Sequence, residues 1–181
     1  MTDIHQLSAL ELAAELRNGE LSAVEVNETT QRRISTAGAA VGAFAHVTAE
    51  LADQQAREAD AAFAAARRDG EDAVRALPPF LGVPVPIKDL NQVAGQPWEA
   101  GSATMRGNVA EVDDGVVTLL HAAGTVMVGK TTTPEFGFPP YTESAIGPAA
   151  RTPWDLTRTA GGSSGGAGAA VAAGVVPVAQ G

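Results

Sequence analysis

The sequence predicts an α/β fold whose core follows a set of N-terminal helices. Short β-branched segments alternate with helical segments in residues 79–181, and such alternation is typical of α/β architecture. Residues 1–78 instead contain charged, alanine-rich helical patterns without comparable strands. We therefore predict an N-terminal helical segment over 1–78 that packs on the core, and an α/β core over 79–181.

Local signals predict three helices in the N-terminal segment. SALE (8–11) and SAVE (22–25) are capping boxes, in which a Ser and a Glu three residues later satisfy the free amides of a helix N-terminus. Asn18-Gly19 is a typical helix stop. The helices are predicted over 8–17, 22–38 and 48–68, with a linker over 69–79.

Strands and helices alternate in the core segment. The proline-edged, β-branched run GVPVPIK (82–88) predicts an extended segment that leads into a loop. DDGVVTLLHAAG (113–124) predicts a helix with an aspartate at its N-terminus and a glycine after its end. TVMVG (125–129) is apolar without alternation, which is typical of a buried parallel strand. A helix over 164–173 and a strand at VVPVA (175–179) complete the pattern.

The segment GTVMVGKT (124–131) matches the phosphate-binding loop pattern G-x-x-x-x-G-K-[ST], but its context argues against that function. Its apolar interior predicts a strand, whereas a phosphate-binding loop is flexible and follows a strand. Pro134 prevents a helix from beginning directly at Lys130, where the motif requires one. We therefore do not expect nucleotide binding.

Composition argues against several classes of function and cofactor. A net charge of −9 without a basic stripe argues against nucleic-acid binding, which needs clustered Lys and Arg. The chain has no cysteine for disulfides or thiolate metal sites, and His5, His46 and His121 lack metal-ligand spacing, so no metal or other cofactor is expected. The least polar run, 167–179, is shorter than the ~20 residues of a membrane span, and the N-terminus does not resemble a signal peptide. We expect a soluble, cytoplasmic protein.

Residues 159–174 (TAGGSSGGAGAAVAAG) place two serines between pairs of glycines. Glycines permit positive φ and the close approach of other segments. The amides near Ser163 and Ser164 are therefore expected to face one concavity at the N-terminus of the following helix, which favours negative charge. The alternative is a flexible Gly/Ser linker, which the position between TPWDL and an alanine-rich helix disfavours.

Four segments together are similar to the amidase signature family, the Ser–Ser–Lys amide hydrolases. GGSSGGAGAAVAAGVVPVAQG (161–181) resembles the first part of the signature itself. GVPVPIKDL (82–90) resembles the family's lysine-bearing segment, and GKTTTPEFG (129–137) resembles the strand and loop that follow it. RTPWDLTRTAGGSSGG (151–166) resembles the segment that leads into the signature. The resemblance covers about residues 80–181. It implies a mixed sheet flanked by helices, of which this chain is expected to hold the first part.

The resemblance implies a catalytic triad with neither histidine nor aspartate. Lys88 maps to the base, and Ser163, preceded by a cis peptide bond, maps to the relay serine that activates a nucleophilic serine. The Lys88 side-chain nitrogen is therefore expected within hydrogen-bond distance of Ser163 Oγ, about 2.7–3.2 Å. Ser164 is expected to hold the loop by hydrogen bonding. The nucleophile and the oxyanion donors belong to a further segment of the family, typically a Gly-Gly-Ser distinct from the one at 161–163, and no residue here matches it. Ser102 and Ser144 lie in other motifs. The chain alone is therefore expected to be an inactive fragment.

The surroundings of Lys88 in the sequence suit the role of a base. A lysine accepts a proton only when neutral, which requires burial to lower its pKa from about 10.4. Lys88 lies among apolar neighbours, Val85, Ile87 and Leu90, which is compatible with burial.

Three functions remain open on the sequence. The expected one is a free-standing amidase that hydrolyses a small linear amide to an acid plus ammonia or an amine. The alternative is the amidase-like subunit of a tRNA-dependent amidotransferase. Such subunits usually have Met-Asp-Glu-Phe-Ala where this chain has TPEFG (133–137), and this difference favours the free-standing amidase. A non-catalytic fragment is the third, and Ala167 replaces a serine usual in the family. The expected partners are the amide substrate and, through an open sheet edge, a second copy of the chain.

Overall fold

A small mixed sheet carries the site. In the computed structural model, which describes residues 3–181, the three strands are β1 (Phe44–Val47), β2 (Ile87–Lys88) and β3 (Gly129–Thr131). Their order is β1-β3-β2, with β1 antiparallel and β2 parallel to β3. Helices flank this sheet, so the predicted α/β class is confirmed.

The first two helices form where their capping boxes predict them. α1 (Ala9–Asn18) follows Ser8, whose side chain and that of Glu11 make the reciprocal bonds of a capping box, and Gly19 closes it at φ +81°. α2 (Ala23–Arg33) follows the second box at Ser22 and continues as a π-helical turn over Ile34–Gly38. Both predictions are confirmed.

The third helix extends to a glycine and is followed directly by another helix. α3 (Ala49–Asp69) buries one side, which consists of Ala52, Ala56, Ala59, Phe63 and Ala66. Gly70 ends it at φ +107°, and α4 (Glu71–Ala76) then begins with two acidic residues in its first turn. The prediction of a linker over 69–79 was therefore wrong, because an acidic first turn suits a helix N-terminus.

The N-terminal helices and the segment before β2 share one apolar cluster. Its buried members include Leu12, Leu16, Val26, Phe63, Val83 and Val85. A second cluster joins the π-helical turn after α2 to α3, to the segment before β3 and to the last helix of the chain. The N-terminal helices thus contact the core, while the domain boundary between 78 and 79 stays a prediction.

The strands β2 and β3 are shorter than the apolar runs that predict them. Parallel pairing is confirmed, with Ile87 opposite Lys130 and Lys88 opposite Thr131. Upstream of this ladder, Val126 makes only an isolated bridge to Pro84. Because prolines lack an N–H, the segment before Ile87 cannot form a continuous ladder, and β3 starts at Gly129 rather than at Thr125.

Two further helices support the site. α5 (Gly115–Ala122) begins after Asp114, and Gly124 follows its end at φ +84°, as predicted. α6 (Gly165–Ala172) begins after Ser164, close to the predicted start. None of the helices in the described range combines the length and apolar character that a bilayer crossing requires.

The structure also differs from the predicted strands in three places. Two of these elements were not predicted from the sequence: β1, and the hairpin of β4 (Arg151–Thr152) and β5 (Asp155–Thr159). The strand predicted at VVPVA is wrong, because residues 175–179 belong to no strand within the described part of the chain. There the Val175 amide donates to Ala170 O at the end of α6, and Pro177 has no amide to donate.

Candidate active site

Lys88 occupies the last position of β2 and is 6% exposed. Its strand is held on both sides: Asp89 N donates to Thr131 O at 3.1 Å, and Lys88 N donates to Gln180 Oε1 at 3.0 Å. Because the backbone on either side of the residue is paired, the long side chain projects from a fixed point. The sheet thus places an amine in the interior.

The Lys88 side chain reaches both serines of the glycine-flanked pair. Lys88 Nζ lies 2.8 Å from Ser163 Oγ and 2.8 Å from Ser164 Oγ. The predicted contact between Lys88 and Ser163 is confirmed, and the predicted cis peptide between Gly162 and Ser163 is present. The direct bond to Ser164 was not predicted, because the sequence indicated only that this residue holds the loop.

The amides of Gly165 and Gly166 at the start of α6 bind neighbouring segments, so these two do not line the predicted concavity. Gly165 N donates to Thr142 Oγ1 at 3.1 Å, and Gly166 N donates to Thr132 O at 3.1 Å. A Cβ on Gly166 would lie 2.4 Å from Thr132 N, which is closer than any real side chain packs. These amides therefore tie the serine segment to its neighbours, and the glycine is needed for a close approach.

Burial lowers the pKa of Lys88 below its ordinary value of 10.5. Within residues 3–181, Lys88 takes part in no ion pair. With no carboxylate to stabilise the ammonium, burial favours the neutral amine. This is the protonation state that a lysine base requires.

The other lysine of the chain is paired. Lys130 and Asp89 are 0% and 1% exposed, and Lys130 Nζ lies 2.9 Å from Asp89 Oδ1 and 3.1 Å from Pro97 O. Burial lowers the pKa of Lys130, and the charge of Asp89 opposes that shift. The lysine of the phosphate-loop pattern is therefore enclosed in β3 as part of an ion pair, as expected for a strand and not for a phosphate-binding loop.

This arrangement can move a proton between an amine and a hydroxyl. A neutral amine has one lone pair and two N–H donors. Lys88 can therefore accept the proton of Ser163 Oγ while it donates a hydrogen bond to Ser164 Oγ. Proton transfer of this kind turns the hydroxyl into an alkoxide that can in turn deprotonate a neighbouring group.

The remaining candidates lie in other hydrogen-bond networks. Ser102 Oγ donates to Glu135 Oε1 at 2.7 Å, and Ser144 Oγ accepts from Gly147 N at 3.1 Å. The three histidines pair with separate carboxylates, Asp3, Glu99 and Asp113. No group of three or more potential metal ligands occurs among the residues from 3 onward.

Known proteins are similar to this chain over most or all of its length. A family model described as Amidase matches residues 25–181. A putative amidase from Synechocystis sp. is 45% identical over 181 residues, which is 100% of this chain and 35% of that protein. A glutamyl-tRNA(Gln) amidotransferase subunit from Salinispora arenicola is 45% identical over 179 residues, 98% of this chain and 35% of that protein.

Solved structures share the fold. A 6-aminohexanoate cyclic dimer hydrolase, solved with its substrate, superposes with a TM-score of 0.84 at 34% identity, covering 98% of this chain and 34% of that one. A bacterial aryl acylamidase superposes with a TM-score of 0.86 at 28% identity, and the match covers 97% of this chain and 35% of that one. The chain spans about a third of the length of the relatives it matches.

Proposed function

The chain belongs to the amidase family, and on that premise we propose that its protein hydrolyses carboxylic amides with Lys88 as the base and Ser163 as the relay serine. The substrate class we propose is a small linear amide, which is cleaved to an acid plus ammonia or an amine. No cofactor is included in the proposal. We also propose a cytoplasmic location, which rests on the composition alone.

The observation that carries the proposal is the bond between Lys88 Nζ and Ser163 Oγ, which is 2.8 Å long and is made by a buried lysine. This lysine has no carboxylate partner among residues 3–181. In the proposed reaction, neutral Lys88 accepts the proton of Ser163, and Ser163 accepts that of the nucleophilic serine. The nucleophile attacks the amide carbonyl, the C–N bond breaks, and the proton passes back to the leaving nitrogen. Water then releases the acid from the acyl-enzyme.

We propose that the nucleophilic serine and the oxyanion donors are not among these 181 residues, because none of them matches the family's further Gly-Gly-Ser segment, which is distinct from the one at 161–163. Oxyanion donors are often the largest single electrostatic contribution to acyl transfer. The chain of residues 1–181 alone is therefore expected to release no ammonia from an amide.

A second candidate function is that of an amidotransferase subunit. It is supported by the amidotransferase relatives. The subunit from Salinispora arenicola is 45% identical to this chain, and so is the putative amidase. The sequence TPEFG at 133–137 favours the free-standing amidase instead. A free-standing amidase acts without partner subunits, so the two functions differ in what the purified protein does by itself.

The experiment measures ammonia release from acetamide, benzamide and glutamine by the full product of the gene, purified alone. Hydrolysis of acetamide or benzamide is expected, and Lys88→Ala and Ser163→Ala should each reduce kcat by about 10²–10⁴-fold. Ser144→Ala is the matched control, because across residues 3–181 that serine hydrogen-bonds only within its own turn, and this variant should retain the wild-type rate.

Two outcomes contradict the proposal. Full activity in Lys88→Ala or Ser163→Ala would mean that the base or the relay has been misassigned. Activity on glutamine alone, and only with partner subunits present, would favour the amidotransferase subunit over the free-standing enzyme.

A further inference from the structure

The hydroxyl of Thr142 bonds to the serine segment on both sides of the serine pair. Thr142 is 0% exposed. Its Oγ1 donates to Gly161 O at 2.9 Å, before the serines, and accepts from Gly165 N at 3.1 Å, after them. One buried hydroxyl thus connects to both ends of the five-residue segment that contains Ser163 and Ser164.

The direction of these two hydrogen bonds is determined by their partners. A backbone N–H only donates and a backbone carbonyl only accepts. The Thr142 hydroxyl must therefore accept from Gly165 and give its single proton to Gly161. A side chain without a hydroxyl would leave a buried carbonyl and a buried amide unpaired, at a cost of about 1–3 kcal/mol each.

Thr142 is itself held against the core. Its carbonyl accepts a hydrogen bond from Ala150 N at 2.9 Å, and the Ala150 carbonyl accepts from Ala160 N at 2.9 Å, immediately before the serine segment. A Cβ on Gly165 would lie 2.3 Å from Thr142 Oγ1. The threonine and the start of α6 are therefore in tight contact, and a small displacement of either is transmitted to the other.

We propose that Thr142 is a positioning residue for the Lys88–Ser163 pair: its hydroxyl sets where Ser163 Oγ lies relative to Lys88 Nζ. The inference rests on the proposed amidase function for its catalytic consequence. Thr142 touches neither Lys88 nor the substrate in this proposal. It acts through Gly161 and Gly165, the residues that bracket the serines.

The geometric test uses crystal structures of Thr142→Val and Thr142→Ser. Valine keeps the shape of threonine without the hydroxyl, and serine keeps the hydroxyl. In Thr142→Val, Ser163 Oγ is expected to move beyond hydrogen-bond distance of Lys88 Nζ, whereas Thr142→Ser should keep the 2.8 Å contact. If Thr142→Val fails to fold, Thr142→Cys replaces it, because a thiol makes weaker hydrogen bonds than the serine hydroxyl and matches it in shape.

The kinetic test uses the full product of the gene with the amide that it hydrolyses. Thr142→Val, or Thr142→Cys in its place, should lower kcat by about 10²-fold with KM unchanged, since misplacement of a reacting group by about 1 Å has an effect of this size. Thr142→Ser should restore most of kcat. Thr157→Val is the matched control, because the Thr157 hydroxyl bonds to Asp155 on the exposed hairpin, and its kinetics should equal those of the wild type.

The two tests separate this inference from the proposed function. An unchanged Lys88–Ser163 distance in Thr142→Val, or in Thr142→Cys in its place, overturns the inference. So does a wild-type kcat in that variant, or a failure of Thr142→Ser to restore activity. If the wild-type protein hydrolyses no amide, the proposed function fails, and the crystal structures alone decide whether Thr142 positions Ser163.

Discussion

Lys88 Nζ and Ser163 Oγ lie 2.8 Å apart although 75 positions separate them in the chain. The contact exists because β2 ends beside the N-terminus of α6. Lys88 has no carboxylate partner among the ion pairs of the described residues, whereas Lys130 is paired with Asp89. The chain has only these two lysines, so their different surroundings can be tested directly.

The first prediction concerns the pKa of Lys88. Burial lowers it below 10.5, so the side chain should lose its proton at a lower pH than an exposed lysine. The full product of the gene is labelled with [ε-¹³C]lysine, and the chemical shifts of its lysine side-chain signals are followed against pH. The Lys88→Met variant identifies the Lys88 signal by its disappearance. A Lys88 signal that titrates at or above 10.5 would contradict the assignment of a buried base.

The second prediction is that Lys88→Met raises stability at neutral pH. The unfolded lysine binds a proton more tightly than the folded one, so the cost of burying the charge is greatest below the folded pKa. This cost falls as the pH rises above the folded pKa, and it vanishes above pH 10.5, the ordinary pKa of lysine. We therefore expect the Tm of Lys88→Met to be higher than that of the wild type at pH 7.

Thermal unfolding of the wild type and Lys88→Met at several pH values measures this effect. The difference in Tm should shrink towards alkaline pH. A Tm below that of the wild type at pH 7 would indicate that Lys88 is retained for stability, and a pH-independent difference would exclude the charge as its cause.

The third prediction concerns the buried pair of Lys130 and Asp89. Asp89→Asn leaves the Lys130 ammonium buried without its counter-charge, so the free energy of unfolding should fall by about 3–5 kcal/mol. Glu71→Gln is the control, since Glu71 and Arg75 form a pair 3.1 Å long with side chains 88% and 71% exposed. It should cost less than about 1 kcal/mol. Chemical denaturation measures the free energy of unfolding of both variants. An equal decrease in Asp89→Asn and Glu71→Gln would contradict the prediction.

The fourth prediction compares two glycines of α6. A Cβ on Gly166 would lie 2.4 Å from Thr132 N and 2.6 Å from Ala43 O, so Gly166→Ala should destabilise the protein by about 1–3 kcal/mol. Gly168 has nothing within 4 Å of its Cβ position, so Gly168→Ala should stabilise it by about 0.4–1 kcal/mol. Urea unfolding distinguishes the two signs. A stable Gly166→Ala protein would mean that α6 does not pack on Thr132 as described.

Sequence alone determined the elements whose signals are local. The Ser8–Glu11 capping box and Gly19 mark the ends of α1, because a helix end is satisfied by residues within one turn of it. Lys88 and Ser163 were also found from the sequence, through motifs that resemble those of a known family. Their contact was an inference from that resemblance, and nothing in the composition or spacing required it.

Only the tertiary structure decided the features whose partners are distant in the chain. β1 is a strand because β3 pairs with it, and residues 175–179 are not one because no strand in the described range pairs with them. Thr142 has no motif of its own; its hydroxyl matters because the fold brings Gly161 and Gly165 to it. Hydrogen bonds and burial act between neighbours in space, so a sequence pattern predicts them only when those neighbours are also close along the chain.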